Sequence, residues 1–410
     1  MKKLSSIVLL SACALFSFGN KVVAQEASVA QTLKEYLSDE SSLFEEVSGI
    51  KKKTDKFNLL LHMQGSLDGH FDDSRFQNGN FNMEQLRIEA RGNVNSWLSY
   101  RWRQRLNRTA DGSNSVDNLP DAIDVAGIGL QLSPKFGMFI GKQGAAFGGI
   151  EYDLNPIEIY QYAQFLERTG SFFTGVNFNY AFNAKHELNF QIVNNRTEGT
   201  AQELYGVDDI KEAKVPFIYS LNWNGELCSH WKTRWSVSFM NETADDNKIM
   251  VMLGNEFNFG KFGGYLDYMY SREQLDRKGF VRDVIKNDAD LTAIRNLSTS
   301  YHTAILQLNY RFTPHWNLKG KGSIDSARAY DDVQYEAADK TVDVSAGTFM
   351  NTLSYTVGME YYPMKDSNLH FFLMYSGKKA FMKEKAKNFN LENTCVSKVS
   401  LGFVYQMKMF

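Results

Sequence analysis

The alternation of apolar and polar side chains at every second residue is the feature that most constrains this fold. In the stretch W-L-S-Y-R-W-R-Q-R-L-N-R, residues 97–108, one parity carries Leu98, Tyr100, Trp102 and Leu106, interrupted only by Gln104, while Arg101, Arg103 and Arg105 share the other. A period of two predicts a β-strand with one apolar and one polar face. The pattern recurs about sixteen times, near residues 57–71, 82–94, 97–108, 121–132, 135–143, 171–182, 185–195, 214–224, 230–241, 248–259, 262–272, 299–312, 315–326, 349–362, 368–377 and 394–410.

The connections between these stretches fall into two alternating classes. The short ones lie at 93–96, 133–135, 183–185, 225–229, 260–261, 313–315 and 363–367. The long ones lie at 109–120, 144–170, 196–213, 273–298, 327–348 and 378–393, with 72–81 and 242–247 the shortest of that class. Short periplasmic turns alternating with long outer loops predict an all-β, transmembrane antiparallel barrel of about 16 strands. A sandwich or a propeller would not need this two-class rhythm.

The amino-terminal residues indicate export. Lys2 and Lys3 precede an apolar run to Phe18, and small residues precede Gln25, which predicts a signal peptide over 1–24. A lipoprotein attached through Cys13 is the alternative interpretation. We expect a short periplasmic arm over 25–56 and a barrel over 57–410 in the outer membrane of a Gram-negative bacterium. The mean hydropathy of −0.37 fits strands that show only alternate residues to lipid.

The polar faces predict the lining of a lumen. The whole chain carries 45 basic and 47 acidic residues, so any excess of positive charge must be local, and nucleic acid is not an expected partner. Five arginines lie on two adjacent predicted strands: Arg87, Arg91, Arg101, Arg103 and Arg105. Further basic residues with inward parity are Lys232, Arg234, Arg311, Lys319 and Lys321. Neighbouring guanidiniums within a Debye length of ~8 Å would attract anions into a pore.

The segment 144–170 is unusually apolar for an outer loop. Exposed to water it would favour aggregation, so we expect it to fold inward and narrow the lumen; packing at a subunit contact is the alternative. Four acidic residues of the loop, Glu151, Asp153, Glu158 and Glu167, oppose the arginines. The expected anion selectivity is therefore weak.

Several motifs together resemble the phosphate-selective porin O and P family of Gram-negative outer membranes. They are R-I-E-A-R-G (87–92), W-L-S-Y-R-W-R-Q-R (97–105), L-S-P-K-F (132–136), G-K-Q-G-A-A-F-G (141–148) and F-L-E-R (165–168). The resemblance implies a homotrimer of sixteen-stranded barrels with a ladder of basic residues leading anions to a constriction. By position, it implies that the five arginines form the ladder and that Lys142 and Arg168 flank the constriction loop.

Enzyme chemistry is not expected. The seven histidines, at 62, 70, 186, 230, 302, 315 and 370, do not converge in spacing, and there is no metal-ligand or phosphate-loop motif, so we expect no cofactor. The leading hypothesis is a porin for passive diffusion of small hydrophilic solutes, with small anions, phosphate among them, favoured. The alternative is a barrel with a closed lumen and an adhesin or structural role. Expected partners are outer-membrane lipid, the transported solutes and the barrel-assembly machinery.

Overall fold

The computed structural model describes residues 41–52, 54–108, 115–205, 210–288, 297–336, 341–364, 367–389 and 391–410. The predicted signal peptide and the first part of the predicted arm lie outside these residues.

Sixteen of the described strands close into one antiparallel barrel, which confirms the predicted fold class and strand count. Neighbours in sequence are neighbours in the wall, except that Trp316–Ala329 pairs with Gly347–Tyr361, and the last strand, Thr394–Lys408, closes the ring on the first, Asn58–Asp72. The barrel strands are β1 (Asn58–Asp72), β2 (Arg75–Asn93), β3 (Leu98–Arg105), β4 (Ile123–Gln131), β5 (Phe136–Gly144), β6 (Phe172–Asn183), β7 (His186–Asn194), β8 (Phe217–Cys228), β9 (Trp231–Asn241), β10 (Asn247–Phe259), β11 (Phe262–Glu273), β12 (Thr299–Tyr310), β13 (Trp316–Ala329), β16 (Gly347–Tyr361), β17 (His370–Met382) and β18 (Thr394–Lys408). Two further strands, β14 (Val333–Glu336) and β15 (Thr341–Val344), pair only with each other.

The helices are short and lie in the connections. They are α1 (Leu43–Ser48), α2 (Ile150–Asp153), a 3₁₀ turn (Pro156–Glu158), α3 (Gln164–Glu167), α4 (Ala201–Tyr205), α5 (Phe280–Asp288) and α6 (Glu384–Lys387). None of the helices in the described residues has the length and apolarity to cross a membrane.

Burial alternates along the strands as the sequence predicts. In β12, Leu306 and Leu308 are exposed on the outer face, whereas Ile305 and Gln307 are buried on the inner face. This period of two follows from the opposite directions of successive Cβ atoms. The wall therefore presents an apolar outer surface and a mixed inner surface.

Two strands differ from the predicted pattern. The predicted loop 72–81 is wrong, because β1 and β2 continue to a two-residue turn at Asp73 and Ser74, which both have positive φ. Within the predicted loop, Asn78 and Asn80 instead pair with His70 and Asp68 in the hairpin. In β5, the alternation breaks at Gly141, whose φ is +128°, so that Lys142 is buried although Ile140 faces outward. No single parity can describe that strand.

The described part of the arm is fixed to the carboxyl terminus. The Phe44 and Phe57 rings lie 4.8 and 5.5 Å from the Phe410 ring, and Lys52 Nζ lies 4.8 Å from the same ring. Phe410 lies two residues after the end of β18, so the alternation of that strand does not extend to it. The arm and the last residue therefore meet at the end of the barrel that carries the short turns.

Candidate functional site

Five arginines project from the inner faces of β2 and β3 and form what we call the arginine cluster. The antiparallel register places Arg87 opposite Arg105 and Arg91 opposite Arg101. Arg103 lies between these two rows, opposite Glu89. Because adjacent strands are ~4.8 Å apart, all five guanidiniums share one small area of wall. The structure thus brings together the five residues that the sequence selected.

Asp124 lies within the arginine cluster. Its carboxylate is completely buried and lies 2.8 Å from Arg87 Nε, 3.2 Å from Arg103 Nε and 3.0 Å from Arg105 Nε. A buried carboxylate with three cationic neighbours holds their side chains at fixed positions. One half of the cluster is therefore organised around this single acid.

Glu89 organises the other half. Its buried carboxylate lies 3.0 Å from Arg101 Nε, 3.7 Å from Arg91 Nη1 and 3.3 Å from His62 Nε2. Five guanidiniums thus face two carboxylates, which leaves a local surplus of three positive charges when His62 is neutral. The cluster is partly compensated but remains cationic.

Alternation in the sequence does not predict that Asp124 faces inward, because a β-bulge changes the direction of its side chain. Arg103 pairs with Val125 and Gln104 pairs with Ile123, so Asp124 is the extra residue between two regular pairs. A bulge interrupts the alternation and re-aims a side chain, here toward the arginines. The sequence did contain one indication. Strict alternation along β4 would expose the Asp124 carboxylate to lipid.

The connection between β5 and β6, residues 145–171, which we call the lumen loop, first follows one side of the inner wall. Ala146 N donates to Gln191 Oε1 of β7 at 2.7 Å, and Gly148 N donates to Ser236 Oγ of β9 at 2.7 Å. Ile150 N then donates to Asp267 Oδ1 of β11 at 2.9 Å. Side chains of the wall thus bind the backbone of the loop.

The lumen loop then contacts strands on the other side of the ring. Asn155 Nδ2 lies 3.2 Å from His62 Nδ1 of β1, and Tyr160 OH donates to Glu360 Oε1 of β16 at 2.8 Å. Phe165 N donates to Asp325 Oδ1 of β13 at 3.0 Å. A segment with partners on β7, β11, β1 and β13 must run through the inside of the barrel.

Three of the four acids of the lumen loop pair with basic residues of the wall. Glu151 lies 2.6 Å from Lys321 Nζ, Asp153 lies 3.1 Å from Arg234 Nη2, and Glu167 lies 2.6 Å from Lys378 Nζ. For the fourth acid, burial raises the pKa of Glu158 to about 7. The wall that binds the loop therefore neutralises most of its negative charge.

The other predicted basic residues have separate positions. Lys319 Nζ lies 3.4 Å from Glu360 and donates to Glu158 O at 3.0 Å, so that it also holds the loop. The Arg311 guanidinium lies 4.2 Å from the Tyr362 ring, and Lys232 is exposed opposite Glu226 and Glu256. None of these three lies in the arginine cluster.

Lys142 and Arg168, predicted to flank a constriction, lie near the two ends of the lumen loop. Lys142 is buried with its Nζ 3.6 Å from Asp117, and Arg168 pairs with Asp283 of α5 at 2.6 Å. Arg168 Nη1 also donates to Lys278 O at 2.8 Å. Arg168 therefore joins the lumen loop to an outer loop.

Part of the inner wall is apolar, which the sequence did not lead us to expect. Met250, Met252 and Met269 on β10 and β11 are buried in one cluster with Phe147 and Phe165 of the lumen loop. The signal was the run I-M-V-M-L in β10, which is apolar on both parities. This cluster fills the lumen beside β10 and β11 and leaves the arginine cluster on a different part of the wall.

The described residues contain no group of three His, Cys, Asp or Glu side chains arranged to hold a metal ion.

Solved outer-membrane proteins share this fold at low sequence identity. The outer membrane channel DcaP of Acinetobacter baumannii matches with a TM-score of 0.60 and 12% identity, over 86% of this chain and 97% of that one. An anion-selective porin from Comamonas acidovorans matches with a TM-score of 0.56 and 8% identity, over 86% and 99%. The trimer form of Vibrio cholerae OmpT, an outer membrane protein, matches with a TM-score of 0.51 and 10% identity, over 86% and 100%. None of the curated proteins matches the sequence.

The sequence itself matches a family model over nearly its whole length. The model for phosphate-selective porin O and P covers residues 57–406, which begins just before β1 and ends within β18. The match extends well beyond the motifs between residues 87 and 168 that first suggested it. The chain therefore belongs to the phosphate-selective porin O and P family and is a channel-type barrel of the outer membrane of a Gram-negative bacterium.

Proposed function

We propose that this barrel is a porin for passive diffusion of small hydrophilic solutes, with a weak preference for anions. Its passage runs along the arginine cluster, where Arg91, Arg101 and Arg105 are partly exposed and Arg87 and Arg103 are buried. One observation carries the proposal: the cluster keeps three surplus positive charges, while three of the four acids of the lumen loop pair with cations elsewhere on the wall.

The arrangement favours general attraction over a tight anion site. Every arginine of the cluster has a carboxylate oxygen within 3.7 Å, so a phosphate would compete with Asp124 and Glu89 for the same guanidiniums. The surplus charge still raises the local concentration of anions, because the low-dielectric wall focuses the field. Phosphate is then one of several small anions that pass, alongside neutral solutes.

The test is the ion selectivity of the purified protein in planar bilayers under a KCl gradient. The proposal predicts conductance and a reversal potential with the sign of chloride preference. Replacing chloride by phosphate should leave that sign unchanged. A reversal potential of the opposite sign would exclude the role assigned to the arginine cluster.

A barrel with a closed lumen and a structural or adhesive role is the second candidate. The observation in its favour is the apolar cluster that the lumen loop forms with β10 and β11, which occupies part of the lumen. The same bilayer experiment separates the two candidates. Absence of conductance from protein that shows heat-modifiable migration, the mark of a folded barrel, would favour the closed barrel.

We also propose that the barrel assembles as a homotrimer and reaches the membrane through the barrel-assembly machinery. The resemblance to barrels that include a trimer form supports the first part. Native mass spectrometry of protein extracted in mild detergent should give three times the mass of one chain. A single-chain mass under the same conditions would contradict the trimer.

A further inference from the structure

Two arginines lie on the outer face of the barrel, at the ends of strands that carry the long loops. Arg272 of β11 and Arg328 of β13 are both exposed. The inner residues beside them, Glu273 and Ala329, are completely buried, which fixes the outward direction of the arginines. We call them the outer arginine pair.

The register places the pair on one row of the wall. Ser300 of β12 is opposite Arg272 on one side and opposite Arg328 on the other. Two strand spacings of ~4.8 Å separate the backbones of the two arginines by roughly 10 Å. The Arg272 guanidinium lies 3.8 Å from the Tyr330 ring, which holds that side chain against the wall.

The surface below the outer arginine pair is apolar and aromatic. Leu266, Leu306 and Ile324 are exposed on the outer faces of the same three strands. Above them, Tyr268 OH lies 2.9 Å from His302 Nδ1. In an outer-membrane barrel, the apolar side chains would lie at the depth of the acyl chains, the Tyr268–His302 pair at the interface, and the outer arginine pair at the headgroups of the outer leaflet.

The charge around the outer arginine pair differs from that in the lumen. The acidic residues of β11 and β13, Asp267, Glu273 and Asp325, are all buried on the inner face, and β12 has none. Within the described part of the chain, neither arginine of the pair forms an ion pair. Every arginine of the arginine cluster, in contrast, has a carboxylate partner.

We propose that the outer arginine pair binds the phosphate groups of a lipid in the outer leaflet. A guanidinium donates two parallel hydrogen bonds to a phosphate, and two arginines with backbones about 10 Å apart suit a headgroup that carries two phosphates. The apolar surface below would hold the acyl chains of the same lipid. The inference depends on the outer-membrane location and is independent of the ion selectivity of the lumen.

The test is native mass spectrometry of the full-length protein with lipid A as the probe, either with two phosphates or with both phosphates removed. The wild type is compared with the double variant Arg272→Gln/Arg328→Gln. The control variant Lys135→Gln/Lys261→Gln makes the same change in charge at the short turns. All three proteins are first checked for heat-modifiable migration, which confirms that each barrel is folded.

We expect the wild type and the control to retain phosphorylated lipid A, and the double variant to retain roughly tenfold less, as expected for charged hydrogen bonds. Dephosphorylated lipid A should bind all three proteins equally weakly. Equal retention of the phosphorylated lipid by wild type and double variant would overturn the proposal. So would a double variant that loses its oligomeric mass but keeps its lipid, because the pair would then be a subunit contact.

Discussion

The sharpest consequence of the geometry concerns the triple variant Arg101→Ala/Arg103→Ala/Arg105→Ala. The substitutions leave Arg87 beside Asp124 at 2.8 Å and Arg91 beside Glu89 at 3.7 Å. Each buried carboxylate thus keeps one cationic partner, so the wall should still fold. The surplus of three positive charges disappears, however, and the anion preference should disappear with it.

The size of the effect follows from Coulomb's law. The interaction energy between one charge of the cluster and an ion ~8 Å away is about 0.5 kcal/mol in water. Screening over one Debye length, at about 0.15 M salt, reduces this energy to about 0.2 kcal/mol. Three such charges give about 0.6 kcal/mol, close to RT, which enriches anions roughly threefold and depletes cations to a similar extent. We expect an anion-to-cation permeability ratio on the order of five to ten in the wild type and about one in the triple variant.

The assay is the reversal potential in planar bilayers with a mean salt concentration of ~0.15 M, where screening is moderate. A matched control, Lys135→Ala/Lys185→Ala/Lys261→Ala, removes the same charge at the short turns and should keep the wild-type ratio. Heat-modifiable migration checks that both variants are folded. The reasoning is refuted if the triple variant keeps its anion preference or if the control loses as much.

Three further predictions use the same bilayer recordings. Asp124→Asn removes one of the two acids from the arginine cluster and should increase the anion preference; an unchanged ratio would mean that this cluster does not face the passage. Glu151→Gln weakens the 2.6 Å contact with Lys321 that holds the lumen loop, so single-channel current should fluctuate more, and steady wild-type currents would contradict a holding role. Burial raises the pKa of Glu158 to about 7, so anion preference should rise as pH falls through that value. Glu158→Gln should reduce this rise, leaving the part due to histidines, and an identical rise in the variant would exclude Glu158 as its source.

The barrel was predictable from sequence because its main determinant is local. Alternation in segments such as 299–312 and the two classes of connection depend only on neighbouring residues, and the closed ring of sixteen strands agrees with them. The predicted loop 72–81 was wrong: polar residues such as Asn78 and Asn80 are common in loops, but here they pair across a hairpin. Local polarity cannot distinguish those two outcomes.

The site was only half predictable. Parity placed the five arginines together, but the bulge that adds Asp124 depends on how β3 and β4 pair, which no local pattern specifies. Arg234 and Lys321 were predicted to line the lumen, yet they hold the lumen loop, because their partners Asp153 and Glu151 lie 81 and 170 residues away in sequence. Charges counted along a sequence cannot show which of them neutralise one another.

The most direct test of the central claim is the accessibility of the two parts of the wall to a water-soluble thiol reagent. In a chain with Cys228 and Cys395 replaced by Ser, Arg101→Cys places a thiol in the arginine cluster and Met252→Cys places one beneath the lumen loop. We predict that a charged methanethiosulfonate reagent reacts quickly at position 101 and changes the current through open channels, while position 252 is protected. Rapid reaction at position 252 with protection at position 101 would contradict a passage along the arginine cluster.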